Sequence, residues 1–184
     1  MRILNLYSGI GGNRKLWGNN HDITAIEYNE SVASIYKDFY PNDTVLVEDA
    51  HDFLLKNHMN YDFIWSSPPC QTHSSFRQNI CVRFRGTDPI YPDMSLYQQI
   101  LFLKYNFKGY WVVENVKPYY NPLIQPSIIL QRHLLWSNFD INEKEFKKDN
   151  IRTAQIKDLQ IKHDIDLTPY KLKNKRQILR NCVL

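Results

Sequence analysis

Met1-Arg2-Ile3-Leu4-Asn5-Leu6-Tyr7-Ser8-Gly9-Ile10-Gly11-Gly12 opens the chain with an apolar run that ends on a glycine-rich turn. Residues Arg2–Tyr7 read as a strand, and a strand apolar nearly throughout suits burial on both faces of a parallel sheet. The glycines of Ser8–Gly12 let the backbone turn sharply and approach a ligand without a Cβ in the way. The third glycine of a dinucleotide fingerprint is missing, so a plain strand-to-helix turn, with a helix from Asn13, explains this segment equally well.

Outward from this stretch the same pattern repeats. Asp22–Tyr28, Thr44–Val47, Tyr61–Trp65 and Tyr110–Val116 read as further strands. Glu30–Phe39, His51–Lys56 and Met94–Tyr105 place apolar residues at helical spacing between them. Strands alternating with helices predict an α/β, doubly wound, Rossmann-like sheet. In such sheets ligands bind at the carboxyl ends of the strands.

The strand ends therefore carry the functional reading. After Ala25-Ile26 comes Glu27, an acceptor suited to both ribose hydroxyls of a nucleoside, with Tyr28 beside it to lie against an adenine. An exposed carboxylate at a helix start is the alternative for Glu27. In Glu48-Asp49-Ala50, Asp49 can accept from an adenine amino group or simply cap a helix. Glycines, Glu and Asp at three consecutive strand ends together suggest an adenosyl cofactor.

The fourth strand runs into Ser66-Ser67-Pro68-Pro69-Cys70-Gln71-Thr72-His73-Ser74. Two prolines stiffen the backbone before a cysteine and present its thiol at a fixed angle. The thiolate is the reactive form, so such a cysteine needs cationic or hydrogen-bonding surroundings. The fifth strand ends in Val112-Val113-Glu114-Asn115-Val116. A carboxyl after so apolar a run is desolvated, which raises its pKa and equips it to donate a proton. A buried Glu paired for structural reasons is the other reading.

With 184 residues and 43% apolar content the chain can bury one sizeable core. No signal peptide and no run of about 18 apolar residues is present, so a cytoplasmic protein away from membranes is expected. Cys70, Cys81 and Cys182, an odd number without paired spacing, suit a reducing compartment. The net charge of +4 is uneven: from Glu143 onward 11 basic face 6 acidic residues, whereas Met1–Asn142 balance at −1. That last quarter faces a polyanion or is simply a solvated lysine-rich tail.

In this order the segments resemble the cytosine-C5 DNA methyltransferase family, in a small form of bacterial or phage type. Ser8-Gly9-Ile10-Gly11-Gly12 is similar to its cofactor glycine motif, and Glu27-Tyr28 to its ribose and adenine contacts. Asp49-Ala50 is similar to its adenine-amino contact, Pro69-Cys70-Gln71 to its nucleophile motif, and Glu114-Asn115-Val116 to its glutamate motif; Leu96 matches a further cofactor contact. The resemblance implies a minimal class I S-adenosylmethionine-dependent methyltransferase fold, S-adenosylmethionine as donor with S-adenosylhomocysteine as product, no metal, and cytosine C5 in DNA as acceptor, as in restriction-modification. It implies addition of Cys70 to C6, proton donation by Glu114 toward N3, and extrusion of the base from the stack.

Beyond Glu114 the match thins. In Gln131-Arg132-His133-Leu134-Leu135-Trp136, Arg132 matches the family's second arginine, a cytosine contact; counting from Gln131 instead puts His133 and Leu135 at the arginine positions. Residues 1–139 make up the expected catalytic domain. Residues 140–170 are a very short target-recognition segment, so low specificity or a partner chain supplying it is expected. Residues 171–184 return to the catalytic domain, with Asn181 and Val183 similar to the family's last motif, where Arg180 replaces glycine. Gln71, Ser74, Arg77, Arg83 and Arg85, with Lys171, Lys173 and Lys175, are candidate nucleic-acid contacts; solvated surface is their other reading. Two rival functions remain, a methyltransferase acting on RNA and a catalytically silent nucleic-acid-binding accessory subunit.

Overall fold

The computed structural model describes residues 1–142 and 154–181, the side chains of the last two excepted. Strands β1 (Arg2–Leu6), β2 (Asp22–Ile26), β3 (Thr44–Leu46), β4 (Phe63–Ser66), β5 (Tyr110–Val116), β6 (Ile128–Leu130) and β7 (His133–Ser137) form a single sheet in the order β3-β2-β1-β4-β5-β7-β6. The first five are parallel, and β7 runs antiparallel to both β5 and β6. This order, with its reversed seventh strand, is the class I methyltransferase arrangement.

One face of the sheet packs Leu4, Leu6, Ile64 and Val113 against α2 (Ala50–Asn57) and α3 (Ser95–Asn106), through Leu54, Ile100 and Leu103. Each such side chain, fully removed from water, contributes roughly 1.5–3 kcal/mol. On the other side α1 (Glu30–Phe39) starts at Asn29, whose side chain accepts from the Val32 N–H. Its buried Ile35 joins Ile10, Leu159, Ile165, Leu167 and Leu179 in a second core. Helices α4 (Ile156–His163) and α5 (Lys175–Asn181) are thereby seated beside the glycine turn. Leu159, Ile165 and Leu167, from the segment expected to serve target recognition, are thus tied to α1.

The expected helix from Asn13 is only a single 3₁₀ turn, Asn13–Leu16. Gly18 at φ +72° reverses the chain right after Trp17. The turn is held from below: buried Arg14 makes a two-pronged ion pair with buried Asp43 at 2.8 and 3.1 Å, and donates to the Gly18 carbonyl at 2.7 Å. Tyr36 donates its hydroxyl to the same Asp43 at 2.9 Å. Burial alone would weaken Arg14's hold on its proton, but the bonds and charge of Asp43 more than reverse this. Among the described residues, no helix is long and apolar enough to cross a membrane.

Candidate active site

The carboxyl ends of β1 and β2 meet at the glycine turn. Gly9 (φ +56°) and Gly11 (φ +82°) take left-handed conformations that disfavour a side chain. A Cβ on Gly11 would strike the rings of Tyr40 and Tyr36, whereas the space beside Gly9 is open. The Gly9 N–H donates to Glu27 Oε2 at 3.0 Å, and the Asn29 N–H to Oε1 at 2.9 Å. Glu27 is therefore oriented by the turn it adjoins, and stays half-buried at the mouth of the sheet. The Tyr28 ring is exposed. Asp49 caps α2, its Oδ1 accepting from the Asp52 N–H at 2.9 Å, and Ala50 is buried behind it.

These residues fit an adenosyl cofactor. The buried Ser8 hydroxyl has no hydrogen-bond partner among the described residues, and open space adjoins Gly9. Oriented carboxylates stand at the ends of β2 and β3. The Ile10 and Leu96 side chains are buried in separate apolar cores, which leaves the backbone as the surface these positions can offer. Asn181 lies in α5, and Val183 falls outside the described residues.

Parallel pairing of β4 with β5 sets the loop that carries Cys70 against the strand end that carries Glu114. Asn115, buried, donates its amide to the Pro68 carbonyl at 3.0 Å, and its Oδ1 accepts from the Val116 N–H at 2.9 Å. The far end of the loop is held by buried His73, whose Nδ1 meets the Tyr120 hydroxyl, while its carbonyl accepts from the Tyr119 N–H at 3.1 Å. Pro69 is exposed and Cys70 half-buried between these anchors.

Cys70, Glu114 and Arg132 act on one another electrostatically. Burial and the negative charge of Glu114 push the Cys70 thiol up, and Arg132 pulls it down. Burial pushes Glu114 up to about 7, against the Ser67 hydrogen bond and the charge of Arg132. Trp65 Nε1 donates to Ser67 Oγ at 2.8 Å, which leaves the Ser67 proton for Glu114. Antiparallel pairing aligns Val116 with His133 and Glu114 with Leu135, so His133 shares the face of Glu114. His133 Nδ1 lies 3.7 Å from Glu114 Oε1. Burial and then Arg132 lower the imidazole to about 4, so this contact is no ion pair at neutral pH. A group half-protonated near neutrality, with a thiol and a cation beside it, can donate a proton as the thiol adds to an electrophile.

The remaining candidates are spread more widely. Gln71, Arg83 and Arg85 are exposed on the loop after Cys70. Ser74 bridges to Pro118, and Arg77 braces the loop by donating to the Asp88 carbonyl at 3.3 Å. Lys171 and Lys173 are exposed beside the second core, and Lys175 donates to the Thr168 carbonyl at 3.4 Å.

Tyr7, Ser67 and Gln99 escape the sequence reading as site residues, and His133 enters it only as an alternative position for a family arginine. Buried Gln99 donates to the Tyr7 hydroxyl at 2.6 Å and accepts from Ser66 Oγ at 2.7 Å, joining α3 to the ends of β1 and β4. Tyr7 has φ +55°, which ends β1 one residue early, and burial pushes its hydroxyl up to about 12. A polar residue in the apolar run of α3 was the signal for Gln99.

The fold and site define a methyltransferase. The family model for C-5 cytosine-specific DNA methylases matches residues 1–122, and the chain belongs to that family. No curated protein matches it significantly. Among solved structures it is similar to a conserved hypothetical protein of Streptococcus pyogenes, with 14% identity over 74% of this chain and 83% of that one (TM-score 0.48). It is also similar to DNMT2 of Spodoptera frugiperda, with 28% identity over 66% of this chain and 37% of that one (TM-score 0.45). A SAM-dependent methyltransferase of Agrobacterium tumefaciens shares 13% over 65% and 40% (TM-score 0.47). The chain thus spans less than half the length of the last two.

Proposed function

We propose that the chain methylates cytosine at C5 in DNA through a covalent adduct between Cys70 and C6 of an extruded base. The observation that carries this reading is the pinning of the Cys70 loop to the Glu114 strand by the Asn115 amide at 3.0 Å, with Glu114 buried and pushed up to about 7 under the charge of Arg132. Ser8, Gly9, Glu27, Tyr28 and Asp49 hold S-adenosylmethionine, which supplies an electrophilic methyl group and leaves as S-adenosylhomocysteine. Cytosine C5 is a weak nucleophile. As the Cys70 sulfur bonds to C6, Glu114 donates a proton toward N3, and the ring becomes an enamine nucleophilic at C5. Arg132 offsets negative charge in this step. After methylation a base takes the C5 proton, the C6–sulfur bond breaks, the thiolate leaves, and N3 returns its proton to Glu114. Neither C5 nor C6 is within reach in a stacked duplex, so the base swings out.

The test is transfer of a radiolabelled methyl group to cytosine-containing DNA, with transfer RNA as the parallel substrate and Cys70→Ala as control. Label on DNA cytosine that vanishes in the variant supports the reading. Label on RNA alone moves the activity to the other nucleic acid; equal labelling by the variant removes the nucleophile.

A further inference from the structure

The loop after Cys70 leaves the site and returns to it. At its stem the Asp93 N–H donates to Thr72 Oγ1 at 2.9 Å, and Ser74 bridges to Pro118. Between these pins Arg77–Val82 wind as a short π-helix, and Arg85 and Thr87 donate their N–H groups to the carbonyls of Ile80 and Cys81 at 3.1 Å. The loop is thus internally braced and anchored two residues from the thiol. The loop nevertheless exposes large apolar groups to water along its length: Phe84 is 84% and Tyr91 95% accessible, with Phe76 and Ile90 also exposed. Arg83 and Arg85 flank Phe84, and no acidic residue occurs from Ser74 to Thr87.

Exposed rings on a braced segment mark an interaction surface. Phe84 stands between two arginines, whereas Tyr91 lies between Asp88 and Asp93 in the chain; the arginines beside Phe84 narrow the partner. A protein groove would accept the rings but has no general need of the cations. A nucleic-acid strand uses both, since guanidinium groups neutralise phosphates and aromatic faces stack on bases. In a closed duplex base faces are covered, and a ring reaches one only by forcing a base step apart, at a cost of a few kcal/mol; unpaired bases offer their faces without that cost.

We infer that Phe84 and Tyr91, with Arg83 and Arg85, form a stacking platform for unpaired bases beside the target cytosine, so that this site takes its base from single-stranded or locally opened nucleic acid. The inference rests on the proposed chemistry only for the identity of the target base. Such a platform also accords with the low sequence specificity expected of the chain, because stacking holds a strand without reading its sequence.

The test is fluorescence anisotropy of the full chain with short labelled oligonucleotides of one sequence: single-stranded DNA, single-stranded RNA and fully paired DNA, each over a range of salt. Single strands should bind more tightly than the duplex, and the DNA and RNA arms tell which sugar is preferred. Phe84→Ala and Tyr91→Ala should each weaken single-strand binding about five- to a hundredfold with the salt slope unchanged. Arg83→Gln and Arg85→Gln should instead flatten that slope. Tyr105→Ala, an exposed ring on α3, controls for general loss of aromatic surface. Unaltered affinity in both loop-ring variants overturns the inference, as does a duplex bound as tightly as the single strand. Methyl transfer is followed separately on the same oligonucleotides. Binding as described without methylation overturns the chemistry and leaves the platform standing; methylation with normally binding Phe84 and Tyr91 variants overturns the platform alone.

Discussion

Asn115 Nδ2 donates to the Pro68 carbonyl at 3.0 Å, tying the residue after Glu114 to the residue two before Cys70. One buried amide therefore helps to set the distance between Glu114 and Cys70. Replacing Asn115 with Ala leaves that carbonyl unpaired, at a cost of about 1–3 kcal/mol. The variant should fold, bind the cofactor normally and lose kcat by roughly a hundredfold, because a shift of about 1 Å in a reacting group has that effect. Steady-state kinetics beside a thermal melt check this; unchanged kcat in the folded variant contradicts it.

Glu114 at about 7 and a Cys70 thiol above its ordinary 9.0 predict an unusual pH profile. Addition needs Cys70 deprotonated and Glu114 protonated, so the active form holds a single proton on the less basic group. That form is a constant fraction of the singly protonated pair. Its rate therefore rises up to about pH 7, stays level, and falls only above the thiol's own titration. Glu114→Gln should remove the break near 7 and lower the plateau by about 10²–10⁴-fold. A wild-type kcat profile with no break near neutrality contradicts the assignment.

Much of this site was legible because strand ends are short and chemically marked. Helix α1 falls at Glu30–Phe39 as its spacing predicts, and the apolar runs place β1 to β5 to within two residues at each end. Cys70 and Glu114 follow from a proline pair and from a carboxyl at the end of an apolar strand. The 3₁₀ turn at Asn13–Leu16 was not legible, since a glycine two residues later overrides a sequence compatible with a longer helix. Three-residue β6 has too few residues for a period, and α4 and α5 owe their place to a core shared with α1. His133 meets Glu114 across paired strands and Gln99 joins a helix to two strand ends, and such tertiary partners are not written in local sequence.

The Arg14–Asp43 pair should be the most sensitive polar contact outside the site. Both side chains are 4% exposed, so Asp43→Ala strands a buried cation. Breaking such a pair costs about 3–5 kcal/mol. Urea unfolding should show that loss, and replacing Arg14 by Met in the same chain should recover part of it. A single variant as stable as the wild type would mean that the arginine finds other partners.

Glycines 9 and 11 should respond differently to alanine. At Gly11 the left-handed φ and the two tyrosine rings act together, so Gly11→Ala should lower the melting temperature and cofactor affinity. At Gly9 only the backbone conformation opposes the methyl group, at about 1–2 kcal/mol, and its Cβ points into open space. Gly9→Ala should therefore melt closer to the wild type while binding S-adenosylmethionine more weakly. Calorimetric titration measures this; equal cofactor affinity for wild type and Gly9→Ala removes the turn from the cofactor site.

The covalent step is tested most directly by trapping. An oligonucleotide carrying 5-fluorocytosine in place of the target base accepts the thiol and the methyl group, but has no C5 proton to lose. Incubated with the protein and S-adenosylmethionine, it should remain attached, and intact-mass measurement should show protein plus methylated oligonucleotide, with peptide mapping placing the bond on Cys70. Cys70→Ala should give no adduct while still binding the cofactor. Attachment at Cys81 or Cys182, or no adduct from a preparation that methylates ordinary cytosine, would contradict the mechanism.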